Sequence, residues 1–241
     1  MEGTISGTGT WKTSIFARLG HLPKFKLFKI STPALTDISL IKFKYSIAVG
    51  YMVSNPADAY TTKKHWQHGH LIPYLAAIHA SCITHDRTIA EFLPPLSHEK
   101  LLAWWKERIA EVADGKRLIF ILLNDCEPGA RPNGSDVVGV VMLNMPSSET
   151  GPFRGVVEKL LVHKAFRGRG GARTLISALE AEATKRGRTI LLLDTETGSP
   201  AEEVYKKLGY VELGQIPKYG LSPNGELKGG TFFWKHLTLQ S

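Results

Sequence analysis

The chain has 241 residues, a net charge of +8, a 43% hydrophobic share and 22% charged residues, which describes a globular protein with a core of its own. No apolar run reaches the roughly 18–20 residues of a membrane span. Cys82 and Cys126 make neither a disulfide framework nor a C-x-x-C metal pair, so a reducing, cytoplasmic setting is expected. Residues 1–53 hold +5 of the charge and the rest only +3. With no dense basic stripe interleaved with aromatics, a nucleic-acid partner is not expected, and what remains is a mild attraction for polyanions.

Residues 1–44 form an atypical basic extension. Its first ten residues are rich in Gly, Ser and Thr, and basic residues are spread among Ile15, Phe16, Leu19, Phe25, Leu27 and Phe28. A mitochondrial targeting segment stays open there, while a secretory signal lacks its continuous apolar stretch. Residues 42–53 read as β-rich. Apolar positions 71, 75, 78, 82 and 83 predict a helix from about residue 71, closed off by Pro94-Pro95. Ser97 starts a second helix with Leu101, Leu102, Trp105, Ile109 and Val112 on its apolar face, stopped at Gly115. Strands 117–123 and 137–143, joined by a long polar loop at 124–136, make an antiparallel pair. A strand from Val156 then leads through a turn to a helix at 172–185, a strand at 189–194 and a helix at 201–208. Short strands at 210–213 and 231–237, with a Pro/Gly/Asn loop between, end the chain. The His65–His70 group lacks Cys or acidic partners, and its spacing does not put three imidazoles on one helix face, so it is read as a polar loop and no metal is expected.

Arg167-Gly168-Arg169-Gly170-Gly171-Ala172 lies between the apolar strand and the helix. A strand feeding a glycine-dense turn that opens a helix aims several backbone N–H groups at one point, at the positive end of the helix dipole. Glycines let a phosphate come close, and Arg169 and Arg173 add cationic donors. Neither the G-x-x-x-x-G-K-[ST] pattern nor G-x-G-x-x-G is present. R-x-x-G-x-A, Arg167 to Ala172, is, and it resembles the acetyl-CoA pyrophosphate motif of the GNAT superfamily of N-acetyltransferases. Leu191 to Ala201, then Tyr205 to Tyr210 and Gln215 to Tyr219, look like the tabtoxin-resistance acetyltransferase branch, including Gly198 where other members carry Asn.

The resemblance covers about residues 45–239 and implies an α/β fold: a mixed, mostly antiparallel sheet with a central splayed parallel pair and helices on both faces. It implies acetyl-CoA as cosubstrate, held by the turn through Arg173, by the backbone of Leu160, Leu161 and Val162, and by Ser199. On this resemblance Glu158 and Asp194 are the acid/base pair and Tyr205 protonates the departing thiolate. The residues fit those tasks: a carboxylate can deprotonate an ammonium, and a phenol near pKa 10 stays protonated at neutral pH. By period two, Glu158 shares a face with Leu160 and Val162, while Lys159 and His163 point the other way. Ser199-Pro200-Ala201-Glu202 reads as a capping box. No acyl-enzyme nucleophile is evident, so direct transfer to a small amine-bearing molecule (amino-acid-like, antibiotic or toxin) in a ternary complex is the first reading. A protein or histone peptide as acceptor is the second, and a catalytically silent acyl-CoA-binding module the third. Assembly as a homodimer stays open.

Overall fold

The computed structural model describes residues 28–29, 45–50, 69–124 and 134–238. Its strands are β1 (Phe28–Lys29), β2 (Tyr45–Gly50), β3 (Arg117–Asn124), β4 (Val137–Asn144), β5 (Arg154–Val162), β6 (Ile190–Glu196), β7 (Val211–Leu221) and β8 (Leu227–His236). Its α-helices are α1 (Ile72–Asp86), α2 (His98–Ala113), α3 (Gly171–Lys185) and α4 (Pro200–Lys207). The strands form one mixed sheet in the order β1-β2-β3-β4-β5-β6-β8-β7. The neighbours β5 and β6 are parallel, as are the edge strand β1 and β2 beside it, and the other neighbours are antiparallel. The fold class, the helices and the splayed central pair agree with the reading above.

The middle of the sheet is covered on both faces. Leu118, Phe120 and Leu122 of β3 join α3 residues Leu175, Ile176 and Leu179 in one core. Ile119, Ile121 and Leu123 join Leu75 and Cys82 of α1 and Leu101 and Trp105 of α2 in the other. That is why β3 and β4 are near-continuous apolar runs instead of alternating ones. The α2 start follows the sequence signal, with Ser97 Oγ accepting the Lys100 N–H. Trp104, absent from the expected apolar face, is also buried.

Two expectations need correction. The C-terminal strands are much longer than predicted, and only five residues separate β7 from β8. Register shifts between Glu212 and Gly214 and between Ile216 and Gly220 let Gly- and Pro-containing sequence stay in the ladder. Neither bond of the expected capping box at α4 is formed. Glu202 accepts the N–H of Gly198, and the Ser199 hydroxyl pairs with Thr195 Oγ1 at 3.2 Å instead of capping the helix. Of the histidine group, His65 and His68 fall outside the described residues, as do residues 1–27 and most of the 124–136 loop. Among the described residues no helix is long and apolar enough to cross a membrane, and no group of three His, Cys, Asp or Glu could hold a metal ion.

Candidate active site

The parallel strands β5 and β6 pair over only three positions, Arg154 with Ile190, Gly155 with Leu191 and Val156 with Leu192. Each continues, β5 to Val162 and β6 to Glu196, without pairing again. The carboxyl ends therefore part, and the facing backbone edges are left for a ligand. β5 passes through the 3-10 turn Lys164–Phe166 into the glycine turn. There Gly168 has φ +72 and Gly170, which caps α3, has φ +83, a left-handed backbone that glycine adopts without strain. Gly171 is needed for a different reason: a Cβ there would stand 2.9 Å from Leu122 Cδ2, so it lets α3 pack closely on β3. Among the described residues, no backbone carbonyl takes the N–H groups of Gly168 to Arg173. A run of free donors at the head of a 15-residue helix is a ready anion site.

The arginines divide differently from the sequence expectation. Arg167 turns away from the turn: its Nε donates to Val162 O at 2.8 Å and its Nη2 pairs with Asp86 at the end of α1. The Asp86 carboxyl is held below its ordinary pKa chiefly by that hydrogen bond, and the guanidinium is raised in return. Arg167 thus ties the turn to α1 and is not a free phosphate donor. Arg169 lies over the Phe166 ring, 5.5 Å from its centre, and Arg173 is exposed, so both stay at the mouth of the turn. A cleft of about 240 Å³ lies on the α1 side of the turn, lined by Tyr74, Ile78, Ser81, Ser135, His163 and Phe166. No residue of β6 lines it.

The register between β4 and β5 slips between the pairs Val140–Leu161 and Met142–Glu158, and Lys159, at φ +53, is the bulged residue. This overturns the period-two assignment of faces. Val162 and Leu160 pack on the α3 side, while Leu161 packs on the side of α1 and α2. Glu158 and Lys159 both reach that second side, where Glu158 meets Arg117 and Lys159 meets Trp104. Asp194, alternating with the core residues Leu191 and Leu193, stands on the same side. Its carboxylate is open to water, yet the walls of the gap remove part of its solvation. Its pKa is raised, first by that loss, with Glu158 adding to it and the charge of Lys159 opposing it. No cation lies within ion-pair distance of Asp194 among the described residues.

Glu158 is bound instead. Arg117, only 5% exposed, donates from Nη1 to Glu158 Oε2 and from Nε to Glu111 Oε2, both at 2.5 Å. Sequence reading missed this bridge. Its signal was an arginine heading a six-residue apolar run and a glutamate interrupting another apolar strand. Tyr205 is buried against Tyr210 and Phe233, with ring centres 5.5 and 6.1 Å away. Burial, and secondarily the charge of Asp194, raises its pKa, so the phenol keeps its proton. Gly198, with φ +76, occupies a left-handed position that suits Gly or Asn.

The model of the acetyltransferase (GNAT) family matches residues 85–210, more than half of the chain. Solved structures share the fold. A candidate acetyltransferase from Salmonella typhimurium, solved with its cofactor acetyl-CoA, is 19% identical with a TM-score of 0.55, over 81% of this chain and 96% of that one. The ribosomal-protein-alanine N-acetyltransferase of Brucella melitensis is 22% identical, TM-score 0.52, over 78% and 99%. A candidate phosphinothricin N-acetyltransferase is 15% identical, TM-score 0.54, over 80% and 99%. With its free donors at the glycine turn, its parted parallel strands and this match, the chain belongs to the GNAT family of acetyltransferases.

Proposed function

We propose that this acetyl-CoA-dependent N-acetyltransferase acts on the amine of a small, amino-acid-like molecule, an antibiotic or a toxin, by direct transfer in a ternary complex. The observation that carries the reading is the pair of carboxylates, Asp194 and Glu158, on the α1/α2 side of the gap beside the β5 bulge. The resemblance of residues 191–219 to the tabtoxin-resistance branch points the same way.

The N–H groups of Gly168 to Arg173 take the pyrophosphate, and the β6-facing edge of β5 at Leu160, Leu161 and Val162, where the Val162 carbonyl already accepts from Arg167, takes the pantetheine arm by strand-like bonds. Ser199, its hydroxyl shared only with Thr195, stands at the β6 edge of the same gap. The amine arrives from the α1/α2 side as an ammonium. Asp194, unpaired and raised in pKa, is the better base, and Glu158, held by Arg117, supplies negative charge that draws the cation in. A β5 N–H stabilises the charge that builds on the carbonyl oxygen, and the resemblance assigns protonation of the departing thiolate to Tyr205, whose burial makes its phenol a weaker acid than a free tyrosine. Cys82 is unsuited to an acyl-enzyme route: burial pushes its pKa up to about 11, and a thiol is a poor nucleophile.

Acetylation of a protein N-terminus is the competing reading. It draws on exposed β7, whose Leu213, Ile216 and Tyr219 offer an apolar edge to an extended peptide. The test measures CoA release over a panel of small amines, amino acids and peptides, with wild type and with Glu158→Ala, Asp194→Ala and Tyr205→Phe. Turnover on a small amine, depressed in all three variants with acetyl-CoA affinity kept, is the expected result. Turnover unchanged in all three would overturn the roles, and turnover on peptides alone would overturn the acceptor.

A further inference from the structure

We propose that Lys159 recognises a carboxylate on the acceptor, so that the substrate carries a free carboxylate beside its amine, as a zwitterionic amino acid does. The inference rests on the small-acceptor reading above and narrows it.

Lys159 occupies a bulge position with φ +53, where glycine is the ordinary residue and any side chain brings backbone strain. The strained position aims a cation into the acceptor side of the gap. The Lys159 ammonium is 3.4 Å from Glu91 Oε2 and 5.6 Å from the centre of the Trp104 ring. It lies on the same side as Glu158 and Asp194, and its charge is felt both by Asp194 and by His79. The acceptor side of the gap therefore presents the Asp194 and Glu158 carboxylates, the latter held by Arg117, and, within electrostatic reach, the Lys159 ammonium with Glu91 beside it.

An acceptor carrying only an amine is drawn by Asp194 and Glu158 but repelled by Lys159. One carrying a carboxylate next to the amine satisfies both signs at once. Glu91 shows where that carboxylate would sit. It belongs to the connection between α1 and α2 and is 48% exposed, so its own ion pair with Lys159 is of the weak, water-screened kind that a ligand carboxylate can replace. The indole of Trp104, itself buried, supplies an apolar floor that keeps the ammonium from swinging away.

The experiment compares L-amino acids with their primary amides as acceptors, in wild type, Lys159→Met and Lys159→Arg, by CoA release. Met keeps the unbranched stem without the ammonium, at the same backbone strain, and Lys159→Arg restores the charge, so the set of variants isolates the charge. For wild type, kcat/KM for the acid should exceed that for the amide by about tenfold or more. The amide's amine is the less basic and so the more available, which biases the comparison against this result. Lys159→Met should bring the ratio close to one with acetyl-CoA affinity unchanged, and Lys159→Arg should restore much of it. Acetylation of small amines indifferent to the carboxylate, or a preference that survives in Lys159→Met, would overturn this inference alone. Acetylation confined to peptide amines would overturn the small-acceptor reading and this one together.

Discussion

Arg117→Met removes the guanidinium that joins α2 to β5. Two charge-assisted bonds of 2.5 Å are lost, to Glu111 and to Glu158. At about 4 Å between charge centres and an effective dielectric near 20, each pair attracts by about 4 kcal/mol before desolvation. The two carboxylates remain 29% and 30% exposed, so water recovers much of that attraction. A net of about 1.5 kcal/mol per bond is then the working figure, about 3 kcal/mol for the two. For a chain of this size about 1 kcal/mol moves Tm by roughly 2–4 °C, so calorimetry should show a fall of about 6–12 °C. Kinetics add a second readout. Glu158 loses its anchor and kcat falls, while the affinity for acetyl-CoA holds because the glycine turn is untouched. Arg117→Lys should recover only part of the loss, since one ammonium cannot span both carboxylates as the planar fork does. A Tm within about 2 °C of wild type, with kcat unchanged, would refute the reasoning.

In the proposed mechanism Asp194 is ionised when it takes the amine's proton, and its pKa is raised in the folded protein. Activity is therefore present above that pKa and lost as pH falls through it, and the acid limb of the kcat/KM profile should be displaced upward from the ordinary aspartate value. Asp194→Asn should erase that limb and lower kcat by about a hundredfold or more; an unchanged limb would exclude Asp194 as the base. Gly170→Ala places a side chain at φ +83, costing about 1 kcal/mol of strain. The Kd for acetyl-CoA should rise about fivefold or more, and an unaltered Kd in calorimetric titration would count against the anion site. His79 is fully buried among Phe92, Trp104 and Trp105, and burial, with the charge of Lys159 adding, pushes its pKa down to about 4. Unfolded chains take up its proton below about pH 6.5 and the folded protein only near 4, so stability is complete above 6.5 and is lost on acidification through that window. His79→Leu should remove about 3 kcal/mol of that pH dependence in urea titrations at pH 7 and pH 4; a slope equal to wild type would contradict it.

The elements around the cofactor site were legible because each has a local cause. A glycine-dense turn between a strand and a helix permits few conformations, and Ser97, Gly115 and Gly187 punctuate their helices through caps or positive φ. The faces of β5 were not legible, because one bulged residue reverses the alternation and nothing in Glu158-Lys159-Leu160 marks Lys159 as left-handed. The length of β7 was hidden by Gly214, Pro217 and Gly220, which read as loop residues but lie at or next to register shifts. The pairs Arg117–Glu158, Glu91–Lys159 and Trp104–Lys159 escaped notice because their partners are remote in sequence. The bridge from Arg117 to Glu158 spans 41 residues, and only the sheet order brings them together.

Whether the turn at 167–173 and the gap between β5 and β6 hold acetyl-CoA is decided by calorimetric titration of the folded protein with acetyl-CoA. One saturable site is expected, weakened in Gly170→Ala and retained in Asp194→Asn. A folded protein that gives no binding heat and no displacement of a bound CoA analogue would reduce the turn to a strand-to-helix connection and exclude the site.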